Sequence, residues 1–257
     1  MSVQRVTMPN ARPAVIVPNV SIVGGAAFPT LANLQARYRA DLGVTIATGI
    51  SQWLDQSGNA NTLTQGGGAL QPTLVASVIN GQPVARFGGT QNLALGGPIT
   101  LPAAYSILAV IRTTSVANTQ TYAGDSALTL VGDNSGGINN GYGIGYGGVA
   151  GKQSLQEFNG AWQQASSTST VNDGLAHMIG VTVANGAQTF YKDAAADGAA
   201  ALVTNVGVNE WQNLGRGFSA TDQFVGDVAE IVIYTRSLSA GEVSQLHAYF
   251  VARYGVT

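Results

Sequence analysis

From Val44 onward the chain is a succession of short apolar runs, each closed off by Gly, Asn, Asp or Pro, and this punctuation excludes most folds before any single residue is weighed. The runs are Gly49–Leu54, Val84–Phe87, Tyr105–Arg112, Ala127–Val131, Tyr142–Tyr146, Ser154–Phe158, His177–Val183, Thr189–Tyr191 and Val228–Tyr234. Segments of that length with turn chemistry between them build a β-sandwich or barrel. Ile107–Ile111 and Met178–Val183 are apolar at nearly every position, as strands covered on both faces must be, and are therefore predicted to be central. The stretch from Thr129 to Gly151, dense in Gly and Asn, supplies hairpin turns.

Three segments depart from this pattern. Leu31, Leu34 and Tyr38 fall at helical spacing and predict a short helical turn between Leu31 and Asp41. Near the C-terminus Ser239-Ala-Gly-Glu242 is a capping box, in which each side chain satisfies the other residue's orphan backbone N–H. A helix starts there, with Val243, Leu246, Ala248, Tyr249 and Phe250 as its apolar face and Gly255 as its C-terminal cap. Residues 1–29 carry Pro9, Pro13 and Pro18, which block helix and central-strand pairing, so they read as an extended arm ahead of one domain over 30–257. Val15, Ile16, Val17 and Ile22 make that arm apolar, fit either to attach to a partner or to pack as an edge strand on its own domain.

Composition narrows the function. Charged residues are only 9% of the 257, against roughly 25% in an ordinary soluble domain. A neutral surface of Gly, Ala, Ser, Thr, Asn and Gln suits repeated subunit contacts and permits a homo-oligomer such as a trimer. A net charge of −2 gives no basic patch with which to grip nucleic acid. The absence of cysteine excludes a disulfide scaffold and thiolate chemistry. No run approaches the ~18 apolar residues of a membrane helix. The N-terminus lacks the basic and apolar regions of a signal peptide, so synthesis in the cytoplasm is expected.

Four blocks carry a family resemblance: Trp53-Leu-Asp55-Gln-Ser57-Gly58-Asn59-Ala-Asn61, Asn80-Gly81-Gln-Pro83-Val84-Ala-Arg86-Phe87-Gly88-Gly89, Asp173 to Thr182 followed by Phe190-Tyr191-Lys192-Asp193, and Phe224 to Ser239. In this order they resemble the laminin G-like, concanavalin A-like jelly-roll family over roughly residues 36 to 255. The resemblance implies an all-β concanavalin A-like jelly-roll sandwich with a short C-terminal helix. It does not select among the family's glycan-binding, adhesive, structural and glycosidase members. Domains of this type ending in a helix and Arg253-Tyr254-Gly255 are also similar to ones in bacteriophage virion proteins.

A few residues carry candidate chemistry. Asp55 and Asn59 could offer oxygens to a calcium ion, or Asp55 could cap its own loop as an Asx turn. Trp162, with Asn159 and Gln163, and Tyr142 and Tyr146 are the candidates for stacking on and hydrogen-bonding to a sugar, in rim loops near 139–148 and 156–163. The alternative is that tryptophans such as Trp162 and Trp211 fill core or interface. Asp227 and Glu230, three apart, belong on opposite sides of a regular strand, where Glu230 would pair with Arg86 or Arg236. The resembling glucanases carry Glu-x-Asp-x-x-Glu, and Val225 stands at the first position here, which removes the expected nucleophile. His177 is expected to be a satisfied edge histidine. These readings lead to a non-enzymatic virion protein, a decoration, fibre or tail component, docked on capsid or tail proteins by its arm and displaying a lectin-like domain toward host glycans. The alternatives are an adhesin of a bacterial surface and, third, a divergent glycoside hydrolase.

Overall fold

The computed structural model describes residues 26–115, 128–132, 141–145, 149–158, 162–201, 209–217 and 223–257, with the backbone alone at 128–132, 157, 158, 162 and 209. In chain order the strands are β1 (Leu34–Arg39), β2 (Val44–Ile46), β3 (Ile50–Trp53), β4 (Leu63–Thr64), β5 (Thr73–Ile79), β6 (Gln82–Gly88), β7 (Leu93–Leu101), β8 (Ala104–Arg112) and β9 (Leu128–Gly132). They continue as β10 (Gly141–Ile144), β11 (Lys152–Phe158), β12 (Trp162–Thr170), β13 (Ala176–Ala184), β14 (Ala187–Lys192), β15 (Ala195–Ala201), β16 (Asn209–Leu214) and β17 (Val225–Tyr234), and helix α1 (Ala240–Tyr254) closes the series.

Two antiparallel sheets face each other. One runs β15-β14-β13-β8-β17-β6-β5, with β1 also on β17; the other runs β12-β11-β10-β9-β16-β7-β4-β3-β2. The long strand β17 pairs with β6 through Val225–Val228 and with β1 through Leu34–Arg39, while β8 lies along its other edge. The two nearly all-apolar runs fall in β8 and β13, hydrogen-bonded to each other inside their sheet as the sequence predicts. Alternation then divides their side chains between two cores. Ile107, Ala109, Ile111, Ile179 and Val181 face the space between the sheets, while Leu108, Val110 and Met178 face α1.

Helix α1 begins at the predicted capping box, with Ser239 accepting from Glu242 N, and ends at Gly255 in the left-handed region (φ 66°). It buries Val243, Leu246, Tyr249, Phe250 and Tyr254 on the outer face of the eight-stranded sheet, each such side chain contributing roughly 1.5–3 kcal/mol. Ala248, assigned to that face by sequence, is exposed. No helix among the described residues is long and apolar enough to cross a membrane.

The helical turn expected between Leu31 and Asp41 is instead strand β1. Ala36 and Tyr38 point into the inter-sheet core while Arg37 points under α1, so a period of two is masked by a strand buried on both faces. Phe28, within the segment assigned to the arm, packs edge-on against Tyr249 and lies 3.6 Å below the Arg37 guanidinium. The arm residues Val15, Ile16, Val17 and Ile22 lie outside the described residues.

Not every core position obeys the polar rule. Gln188 faces inward with Phe190, is 1% exposed, and neither its amide nitrogen nor its oxygen has a hydrogen-bond partner among the described residues. An orphaned buried amide costs more than an apolar side chain of the same size. Gln188→Leu is therefore expected to stabilise the fold by about 1–2 kcal/mol in urea unfolding, and unchanged or lower stability would show that the amide has a hidden partner.

Candidate functional site

The outer face of the nine-stranded sheet carries the least expected side chains. Leu155 and Ala165 point into the core, so alternation sends Ser154, Gln156, Gln164 and Ser166 to the opposite face. Register aligns them: Gln156 stands opposite both Gly141 and Gln164, and Ser154 opposite both Gly143 and Ser166. Gly141 continues through Gly132 of β9 to Asn213 of β16. A cross-strand row Asn213–Gly132–Gly141–Gln156–Gln164 thus lies beside a second row, Gly143–Ser154–Ser166.

Glycines occupy the middle of the face with amides on both sides, and Gly141 and Gly143 are themselves buried. Gln156 and Asn213 are each 8% exposed, yet no hydrogen-bond partner is found for either side-chain amide among the described residues. Recessed amides normally have partners, and these two, on the side of the sheet away from the inter-sheet core, keep donor and acceptor capacity unspent among the described residues. Gln212 and Glu210 alternate with inward Trp211 and extend the face along β16. Within the rim loops expected at 139–148 and 156–163, the described residues fall mostly in strands of this sheet, in β10 (Gly141–Ile144), β11 (Lys152–Phe158) and β12 (Trp162–Thr170). The signal available was the alternation Ser154-Leu155-Gln156 and Gln164-Ala165-Ser166, polar on one side and apolar on the other.

The predicted sugar contacts divide. Tyr142 is a correction: it is 1% exposed in the inter-sheet core, and its hydroxyl donates to Gln153 Oε1 at 2.7 Å, so its ring is closed to a sugar. Gln163 is half-buried in β12, which begins at Trp162, paired with Phe158. Asn159, Tyr146 and the Trp162 side chain lie outside the described residues. Trp211 is fully buried against Tyr38 and takes the core alternative.

Asp55 acts as a loop cap rather than as a metal ligand. Its Oδ1 accepts from Arg37 N and Ser57 N, and its Oδ2 from Ser57 Oγ and Asn61 N, so four donors occupy a carboxylate with about four acceptor sites. Asn59 donates through Nδ2 to Leu34 O and Gln35 O, tying the loop to β1. The calcium reading is corrected on this ground: the Asp55 carboxylate is used in holding the loop, and Asn59 serves the same loop through its amide nitrogen.

The pair Asp227 and Glu230 also differs from expectation. A bulge between Val228 and Glu230 shifts the alternation of β17, and both acids lie on the side of the sheet away from the inter-sheet core. Asp227 takes Arg86 as a two-bond partner at 2.6 and 3.0 Å. Glu230 pairs with Arg37, at 2.7 Å, and accepts from Tyr249 and Tyr254, whereas Arg236 is bonded to Glu242. Burial, followed by the Glu230 charge, pushes the Tyr249 hydroxyl up to about 12.

His177 is held from both sides, by Asp193 at Nδ1 (2.7 Å) and Asp173 at Nε2 (3.0 Å). The Asp193 hydrogen bond raises its pKa, against desolvation and with help from Asp173. A raised folded pKa stabilises the fold fully below the unfolded value near 6.5 and loses that contribution as pH rises through the folded value. The difference in melting temperature between wild type and His177→Gln is expected to shrink as pH rises from about 6 to about 9; a constant difference would mean the ring stays neutral throughout.

A family model for the concanavalin A-like lectin/glucanases superfamily matches residues 87–244. No curated protein matches the chain. Domain 4 of AbnA, an extracellular GH43 arabinanase of Geobacillus stearothermophilus solved with arabinotriose, superposes with TM-score 0.62 at 18% identity, over 84% of this chain and 98% of that one. Botulinum neurotoxin type C, whose cell entry is dependent upon interaction with two ganglioside molecules, gives 0.61 at 9% identity over 86% of this chain and 52% of its own. The binding domain of Paraclostridial Mosquitocidal Protein 1 gives 0.59 at 15% over 85% and 52%. At these identities the likeness is one of fold, and together with the matched residues it identifies a lectin-like jelly roll: the chain belongs to the concanavalin A-like lectin/glucanase superfamily.

Proposed function

We propose that this protein is a non-catalytic carbohydrate-binding domain displayed on a bacteriophage virion, and that the outer face of its nine-stranded sheet is the binding surface. The observation that carries the binding reading is the pair of recessed amides of Gln156 and Asn213, without partners among the described residues, flanking a glycine strip. An amide offers both a donor and an acceptor, as a sugar hydroxyl does. The arabinotriose-bound fold relative and the ganglioside-dependent toxin support this reading.

The non-catalytic part rests on carboxylates. Glycoside hydrolysis needs two, about 5 to 9.5 Å apart across the scissile bond. Among the described residues Glu210 is the acid on this face, while Asp227 and Glu230 are paired with arginines on the other sheet. The virion assignment draws on the near-neutral composition, the apolar arm for capsid or tail contacts, and the Arg253-Tyr254-Gly255 ending. On this reading the chain is made in the host cytoplasm, assembles as an oligomer on the particle and reaches host-surface glycans from there.

Affinity electrophoresis in gels cast with bacterial surface polysaccharides tests binding and catalysis together. Retardation without release of reducing ends is expected, whereas release abolished by Glu210→Gln would make the protein a hydrolase. For display, mass spectrometry of purified particles is expected to find the full chain and to lose it on deletion of residues 1–25, which leaves Phe28 on Arg37 and Tyr249; normal incorporation of the truncated chain would remove the arm's attachment role.

A further inference from the structure

We infer that the open edge of the nine-stranded sheet, strand β2, is a contact between two copies of this chain, the β2 strands pairing antiparallel about a two-fold axis at Thr45. The contact rests on the oligomer reading above and not on the carbohydrate reading. Backbone geometry identifies the edge. Leu54 N donates to Gly43 O and Ala47 N to Gly49 O, so alternation turns Gly43, Thr45 and Ala47 toward β3 and leaves the N–H and C=O of Val44 and Ile46 on the open side. Other edges are covered or blunted. β12 is tied to the facing sheet through Ser169 N on Asp197 and Lys192 Nζ on Thr170 O, and β1 is covered by the Asp55 loop through Arg37. β5 and β15 carry extra residues against their partners, at 76–78 and 197–198. β2 has no charge, proline or extra residue of its own, because the irregular step beside it falls on β3 at Ser51.

The side chains along this edge are apolar. Of the six exposed large hydrophobics among the described residues, four are Leu42, Ile46, Leu54 and Leu70. Leu42 precedes β2, and Leu54 lies over Gly43, its Cβ 2.8 Å from where a Cβ on that glycine would stand. Leu70 ends a 3-10 turn whose Gly68 abuts Thr48, just past the strand. Scattered exposed hydrophobics are ordinary, but four along one unpaired edge mark an interaction surface. Charge selects a second copy as the occupant. A two-fold axis sets each group near its own image, which penalises a charged patch. From Leu42 to Ala85 the sequence holds one charged residue, Asp55, whose carboxylate is occupied by four donors. With the axis at Thr45, Val44 stands opposite Ile46 of the second copy in a hydrogen-bonded pair, so the valine covers an isoleucine that is 52% exposed in the single chain.

Sedimentation velocity of the full-length chain over a concentration series tests the contact. Wild type is expected to pass from the 26.3 kDa monomer to a species of twice that mass. Ile46→Lys, which sets an ammonium group near its own image, is expected to move that transition to at least about tenfold higher concentration, with the melting temperature kept because the side chain is exposed. A second variant reads the geometry without weakening the edge. The chain has no cysteine, and residues facing each other in a non-hydrogen-bonded antiparallel pair have Cα atoms about 4.5 Å apart, within disulfide reach. Thr45→Cys is therefore expected to form a disulfide-linked dimer under mild oxidation where Gln245→Cys, exposed on α1, stays monomeric. Self-association that Ile46→Lys leaves unchanged, with cross-linking no faster at position 45 than at 245, would overturn this contact and leave the oligomer reading standing. A wild type that stays monomeric up to its solubility limit would overturn both.

Discussion

Glu230→Ala loses about 3–5 kcal/mol of folding stability, the cost typical of removing one member of a buried ion pair. Glu230 is fully buried, and its oxygens accept from Arg37 Nε and from the hydroxyls of Tyr249 and Tyr254. Arg37 in turn donates through its second nitrogen to Tyr249 and lies over the ring of Phe28. Without Glu230 the arginine, 9% exposed, keeps its charge with no counterion, and two tyrosine hydroxyls lose their acceptor. The damage reaches beyond the site, because Tyr249 and Tyr254 belong to the buried face of α1 and Arg37 to β1. Urea denaturation followed by far-ultraviolet circular dichroism measures the loss; Glu230→Gln keeps the hydroxyl acceptors and is expected to lose less. A Glu230→Ala protein within about 1 kcal/mol of wild type would mean that the network does not anchor the helix.

How much of this was legible in the sequence depends on how local each signal is. The capping box and Gly255 are contained within a few residues, and both ends of α1 fall where they place them. Runs such as Ile107–Ile111 and Met178–Val183 identify themselves, because a strand covered on both faces has no polar side to confuse the reading. Strand β1 escapes such a reading because Arg37 sits in an interior position, and an arginine reads as solvent-facing unless its distant partner Glu230 is known. The bulge in β17 is equally invisible: nothing in Val228-Ala229-Glu230 announces a shift in alternation, yet it decides which face Glu230 takes. The candidate face shows the same limit. Ser154, Gln156, Gln164 and Ser166 each alternate with apolar neighbours, but that they form rows with Gly141 and Gly143 is a property of register between strands.

The aromatic candidates separate on burial, and Trp211 ties the buried side of the sheet to the row on its outer face. Its ring is fully buried between the sheets, edge-on to Tyr38 with centroids 5.9 Å apart, and Tyr38 meets Trp53 in the same way at 5.9 Å. Its indole nitrogen donates to Asn213 O at 2.8 Å, across the irregular step in the pairing of β16 with β7. Trp211→Ala therefore removes a large side chain from a packed site and orphans a carbonyl beside the row that carries Asn213. A stability loss of about 3–5 kcal/mol is expected in calorimetric unfolding, with Trp211→Phe recovering much of the packing but not the hydrogen bond. Because Asn213 is positioned through this indole, glycan affinity is expected to fall in Trp211→Phe although the substituted ring touches no sugar. Weakened binding with an intact fold would tie the site to the core beneath it; unchanged affinity and stability in both variants would mean that Trp211 neither supports the sandwich nor sets the row above it.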